Sequence, residues 1–158
     1  MALIVSETSG GADVGTTKID FGNIPVGADV TKDLYISHNY NNKITDVTLF
    51  FGQLSGTYDG DFDATTDWNE LLSWGDNAVT DGAFLSQDSG SSFAQLKTGS
   101  LDAQANGVTV ATSSGVSVAG EIATGEESHQ QVKIHVPAGE DTGGVREFDF
   151  KVYYLYTS

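Results

Sequence analysis

Residues 18–36, KIDFGNIPVGADVTKDLYI, combine two alternating segments with a tight turn that contains Gly and Pro. Apolar and polar residues alternate at 19–21 and again at 34–36, and this period of two is typical of a strand whose two faces meet different surroundings. The segment between them carries the residues that favour turns. The stretch therefore predicts strand, turn and strand, which is the opening of a β-sandwich.

The same alternation recurs along the rest of the chain. The longest and most regular example, 148–156, is expected to lie in the centre of its sheet. The apolar segment 2–5 is expected to form an edge strand, an arm that pairs with a neighbouring subunit, or a frayed end. Seven or more short strands joined by Gly-rich turns predict an all-β fold, an antiparallel β-sandwich with long loops. Further strands are predicted at 47–51, 108–110, 116–118 and 132–136.

The length of 158 residues fits one domain with a single core. We expect an N-terminal arm at 1–15, followed by a single β-sandwich domain at 16–158. The segment at about 56–106 is rich in Gly, Ser, Asp and Asn, so it is interpreted as a loop-rich insertion in that domain. Long loops on a sandwich are where partners usually bind, which makes this insertion a candidate contact region.

One segment of the insertion has helical spacing. In 68–74, WNELLSW, apolar residues recur three and four positions apart. Asp67 precedes them as an N-cap, and Glu70 stands three residues later, as in a capping box. The segment predicts one short helix that closes an end of the sandwich.

The charge balance restricts the partners of the chain. There are 22 acidic and 7 basic residues, which give a net charge of −15, and the basic residues are scattered singly. A nucleic-acid surface needs clustered Lys and Arg, so no nucleic-acid partner is expected. No segment approaches the roughly 18 apolar residues of a membrane span, so no membrane partner is expected either. The absence of Cys excludes disulfides and thiol catalysis.

An acidic stretch at 59–70, DGDFDATTDWNE, carries oxygen ligands with the spacing of a calcium loop. Ala64 stands where such a loop needs Gly for its bend, and no helix precedes the stretch. The alternative is an acidic surface loop that only caps the short helix. Any calcium would be structural, and no other cofactor is expected. The candidate metal ligands are Asp59, Asp61, Asp63, Thr65, Asp67 and Glu70.

No catalytic motif is recognisable, so a non-enzymatic role is expected. His38, His129 and His135 lack the spacing of a metal site, and His135 is expected to face solvent on a strand. No nucleophile motif or phosphate-binding loop is present. Tyr154 and Tyr156 are expected at the core and its rim, because they share a strand face with other apolar residues.

Two segments, IDFGNIPVG at 19–27 and VKIHVPAGEDTGGVREFDFKVYYLY at 132–156, resemble the opening and closing parts of immunoglobulin-like (Ig-like) sandwich modules. Together they cover roughly a quarter of the chain. The resemblance implies an all-β, antiparallel sandwich of the Ig-like or jelly-roll type. It implies little about function, because it consists of turns and strands alone.

Taken whole, the small, acidic, cysteine-free and Gly-rich chain resembles bacteriophage virion proteins, in particular head decoration (cement) proteins. That resemblance implies a structural protein that binds the outer capsid surface and stabilises the shell. The implied partners are the major capsid protein and copies of the chain itself, as a homotrimer, with the arm 1–15 clamping a neighbour by strand addition. The implied location is the virion, after synthesis in the host cytoplasm and assembly on the capsid exterior.

Two other functions stay open. A carbohydrate-binding or adhesive β-sandwich module of a tail fibre or cell surface would use loop aromatics such as Trp68, Trp74 and Phe84. A hydrolase on a jelly-roll scaffold ranks last, because the many acidic residues stand in no distinctive motif.

Overall fold

The computed structural model of the chain describes residues 1–15, 19–25, 27–51, 82–86, 92–95, 107–135 and 150–157. Within these ranges the regular structure consists of strands, and no helix is present that could cross a membrane. The predicted helix at 68–74 lies outside the described residues. The strands are β1 (Leu3–Ser6), β2 (Asp29–His38), β3 (Ile44–Phe51), β4 (Gly82–Ser86), β5 (Phe93–Gln95), β6 (Val108–Thr109), β7 (Glu127–His135) and β8 (Phe150–Tyr156).

The eight strands form two antiparallel sheets. One sheet has five strands in the order β1-β2-β7-β4-β5, and the other has three in the order β6-β3-β8. The all-β prediction is therefore confirmed. β3 lies between β6 and β8, so β8 is the outer strand of the described sheet, whereas its regular alternation predicted a central position.

Side chains from both sheets meet in one hydrophobic core. The alternation is strict along β7, where every second residue is buried and the residues between them are half-buried. Burying these apolar side chains is the main favourable contribution to folding. The core consists of Leu34, Ile36, Tyr40, Ile44, Val47, Leu49, Leu85, Val110, Ile122, Val132 and Ile134.

The predicted first strand at 19–21 is wrong, because residues 19–25 have no regular structure. The Asp20 carboxylate accepts a hydrogen bond of 2.8 Å from the Gly22 N–H, and Gly22 has a φ of 73°. A local turn of this kind competes with pairing in a sheet. Ile19 and Phe21 nevertheless pack against the core as partly buried side chains, which explains their alternation.

The predicted strand at 116–118 is also wrong. Val118 is exposed, and its carbonyl accepts the Glu121 N–H in a turn. Gly120 completes that turn with a φ of 76°, and a Cβ there would lie 3.2 Å from the backbone N and O of Val47. Only Gly suits both the positive φ and this close approach.

The segment 2–5 joins the sheet of its own chain, as the edge-strand alternative predicted, with Leu3–Ser6 as β1 paired to β2. The other side of β1 is capped locally: the Val5 N–H donates to the Asp13 carboxylate at 3.0 Å, and the Val14 N–H donates to the Val5 carbonyl at 2.7 Å. Such capping protects a sheet edge from pairing with other chains.

Candidate functional site

A continuous row of polar and aromatic side chains covers the outer face of the five-stranded sheet. β2 and β7 pair over nine positions, so their odd-numbered residues point together, away from the core. The register sets Tyr35 opposite His129 and Asp33 opposite Gln131. We call this surface the polar sheet face and define it as Asp33, Tyr35, Phe93, His129, Gln131 and Lys133.

The centre of the polar sheet face is held by contacts between neighbouring strands. The rings of Tyr35 and His129 stack with centroids 4.4 Å apart and an interplanar angle of 5°. His129 Nε2 lies 2.9 Å from Asp33 Oδ1, and Gln131 Nε2 donates to the same oxygen at 3.2 Å. A carboxylate acceptor requires the imidazole proton on Nε2, so the contact also fixes the tautomer of His129.

These contacts change the acidity of Asp33. The hydrogen bond from His129, and after it the one from Gln131, holds the pKa of Asp33 below its ordinary value of 3.8. Both bonds favour the ionised carboxylate, which explains the direction. The centre of the face therefore carries a negative charge at neutral pH.

The polar sheet face also carries a cation, and the N-terminal loop borders it. Lys133 Nζ lies 4.5 Å from the centroid of the Phe93 ring, within the range of a cation–π contact. At the other end, Glu127 accepts hydrogen bonds from Ser9 Oγ and from the Gly10 N–H. The N-terminal loop is thereby held against the sheet beside His129.

The three histidines have three different environments. His129 belongs to the polar sheet face. His135 lies on the same side of β7 with Nδ1 4.0 Å from Asp29, and its side chain is mostly covered, so the expected solvent-facing position is only partly met. His38 is buried on the core side of β2. Among the described residues, no group of three or more His, Cys, Asp or Glu side chains is arranged to hold a metal ion.

The predicted calcium ligands lie outside the described residues. This applies to Asp59, Asp61, Asp63, Thr65, Asp67 and Glu70, and also to Trp68 and Trp74. The calcium loop and the surface formed by Trp68 and Trp74 therefore stay predictions. Phe84, the third predicted loop aromatic, lies in β4 and not in a loop.

We expect Asp33→Asn to remove a stability contribution that depends on pH. Because the folded-state pKa of Asp33 is lowered, its contribution is present above the ordinary value of 3.8 and is lost as pH falls through the lower folded value. The difference in unfolding free energy between the wild type and Asp33→Asn, measured by urea denaturation, should be constant near neutral pH and shrink below 3.8. The same substitution in a His129→Ala background should show a smaller difference. A difference that is unchanged down to the most acidic measurable pH would contradict this.

The polar sheet face thus combines hydrogen bonds from His129 and Gln131 to Asp33, one aromatic stack and one cation–π contact. It presents fixed donors, acceptors and ring edges, which suits recognition of a complementary surface. Comparison with models of protein families, with curated proteins and with solved structures finds no match for this chain, so the site is defined by its own geometry.

Proposed function

We propose that this chain is a non-enzymatic structural protein of a virus particle, a capsid decoration protein on an Ig-like sandwich scaffold. It binds the outer capsid surface through the polar sheet face and stabilises the shell. The observation that carries the proposal is that hydrogen bonds between β2 and β7 hold Asp33, His129 and Gln131 in place. Side chains that are already ordered lose little conformational entropy on docking, which favours a static binding role.

Charge supports the same role. The net charge of −15 favours a partner with a positive surface, because complementary fields speed association and exclude wrong partners. The proposed partners are the major capsid protein and, in a homotrimer, copies of this chain. Because β1 is paired within its own chain and Val5 is capped by Asp13 and Val14, we assign the contact to the sheet face and not to strand addition by the arm 1–15.

The test is co-sedimentation of the purified protein with undecorated capsids of the virus that encodes it. The wild-type protein should pellet with the capsids. Lys133→Glu should weaken capsid binding at least tenfold, because it removes the cation–π contact with Phe93, and the loss of this ordered contact on the docking face outweighs the attraction of one more carboxylate to a positive partner. Lys151→Glu is the matched control, since it makes the same charge change on an exposed residue of the other sheet, and it should bind like the wild type.

Two results would refute the proposal. One is a protein that stays monomeric by light scattering and does not pellet with capsids. The other is equal binding by the Lys133 and Lys151 variants, which would show that the polar sheet face does not contact the capsid.

A further inference from the structure

A second cluster lies at the end of the three-stranded sheet, away from the polar sheet face. Tyr40 comes from the turn 39–43 between β2 and β3, while Tyr154 and Tyr156 come from the last residues of β8. Tyr40 is buried, and its hydroxyl lies 2.8 Å from that of Tyr154. We call these three residues the tyrosine cluster.

Tyr156 is both exposed and fixed. The residue is 55% exposed, yet its ring stacks on Tyr40 with centroids 4.6 Å apart and an interplanar angle of 21°. Tyr40 in turn is held by Tyr154, and this hydrogen bond, with burial, raises the pKa of Tyr154 to about 12. One face of the Tyr156 ring is thus supported by an ordered neighbour, and its exposure leaves the ring open to a ligand.

Uncharged amides lie in the turn beside this ring. The turn NYNNK at 39–43 carries Asn39, Asn41 and Asn42, all exposed. Asn42 Nδ2 donates to the Thr157 carbonyl at 3.2 Å, which places the turn directly beside the end of β8. Amides both donate and accept hydrogen bonds, so they offer polar partners beside the apolar ring. Lys43, the charged residue of the turn, is paired with Glu121 at 2.6 Å.

The size of the patch decides which ligand it fits. A stable protein interface buries about 800 Å² on each partner, far more than one ring provides. Leu155 is also exposed, but it points to the opposite side of β8, so it does not enlarge the patch. One exposed aromatic ring beside several amides matches a single sugar ring, which has an apolar C–H face and a rim of hydroxyl groups.

We propose that the tyrosine cluster and the turn 39–43 form a saccharide-binding site. The C–H face of a neutral sugar ring stacks on Tyr156, and its hydroxyl groups hydrogen-bond to Asn41 and Asn42. This goes beyond the proposed capsid role. It also uses different residues from the loop aromatics that the sequence suggested for carbohydrate binding.

The test is an NMR titration of the ¹⁵N-labelled protein with cellohexaose and with chitohexaose, up to about 10 mM, a range that detects millimolar affinity. At least one oligosaccharide should shift the backbone amide signals of Asn41, Asn42 and Tyr156. Tyr156→Ala should weaken binding at least tenfold, whereas Tyr156→Phe should retain it, because the ring face makes the contact. Leu155→Ala is the matched control, since it truncates the exposed neighbour on the other face and should bind like the wild type.

Three outcomes would overturn the proposal. Neither oligosaccharide shifts the signals, or Tyr156→Ala binds as well as the wild type, or Tyr156→Ala abolishes self-association of a protein that binds no oligosaccharide. The last result would assign the tyrosine cluster to a contact between copies of the chain. Capsid binding by Tyr156→Ala should be unchanged, which separates this test from that of the capsid role.

Discussion

Gln130→Ala is expected to destabilise the protein by about 3 kcal/mol, because it removes a buried polar side chain with all its partners in place. Gln130 is fully buried on the core side of β7. Its Nε2 donates to the Leu34 carbonyl at 2.9 Å, and its Oε1 accepts from Ser128 Oγ at 2.9 Å. Truncation leaves a cavity and deprives the Leu34 carbonyl and the Ser128 hydroxyl of one partner each.

The measurement is urea denaturation followed by circular dichroism, with the midpoint and slope compared between variants. Gln131→Ala is the matched control, because it makes the same truncation one residue later, on the outer face of the same strand. It should cost about 1 kcal/mol or less, since it breaks only an exposed hydrogen bond to Asp33. Equal losses of unfolding free energy for the two variants would show that the buried hydrogen bonds of Gln130 add no more stability than the exposed one of Gln131.

The hydrogen bonds of Ser128 limit the stability that Gln130→Ala loses. Its hydroxyl has a single proton, which is shared between the Ala111 carbonyl and Gln130 Oε1. When Gln130 is truncated, Ser128 can give the proton wholly to Ala111, so its hydroxyl is not orphaned. Ser128→Ala instead removes this donor from both the Ala111 carbonyl and Gln130 Oε1, so it is also expected to destabilise the protein in the same assay.

His38→Ala is expected to lower the free energy of unfolding by a similar amount, about 2 to 4 kcal/mol. His38 lies on β2 and its ring contacts the backbone of both Tyr40 and Ile122. Its Nδ1 accepts the Tyr40 N–H at 3.2 Å, and its Nε2 lies 3.0 Å from the Ile122 carbonyl. A backbone N–H can only donate, so the ring proton must sit on Nε2 and point at Ile122. Removing the ring leaves the Tyr40 N–H buried without this partner.

The control for His38 is His129→Ala, which truncates a half-buried histidine on the outer face of β7 and should cost about 1 kcal/mol or less. A long-range ¹H–¹⁵N NMR spectrum adds a direct check, since His38 should show a protonated Nε2 and an unprotonated Nδ1. The reverse tautomer, or equal losses for the two variants, would contradict the assigned role of His38.

Alternation predicts strands that overlap β2, β3, β6, β7 and β8, and for β2 and β6 it runs over only three residues. β3 and β8 alternate over most of their length, and each packs one face against the core. The 19–21 segment alternates over three residues as 34–36 does, but the Asp20 carboxylate turns the chain there and no strand forms. The order of the strands in the two sheets could not be predicted from the sequence, because pairing depends on contacts between distant segments and not on local pattern.

The polar sheet face could not be predicted for the same reason. Asp33 and His129 lie 96 residues apart, and only the register of β2 with β7 brings them together. A signal was present, since every second residue of ESHQQVKIH, from Glu127 to His135, is charged or polar. This alternation is hard to recognise because the buried residues Ser128 and Gln130 are also polar, so the first half of the strand looks uniformly polar.

The pairing of β2 with β7 also has a consequence for synthesis of the chain. Leu34 and Gln130 lie 96 residues apart, so at about 5–20 residues per second β2 leaves the ribosome roughly 5–20 s before its central partner exists. Until then it has only β1 among its sheet neighbours, and an isolated two-stranded pair is marginally stable in water. A transcript that stops before codon 127 should therefore yield an unfolded product for proteases and not a partial domain.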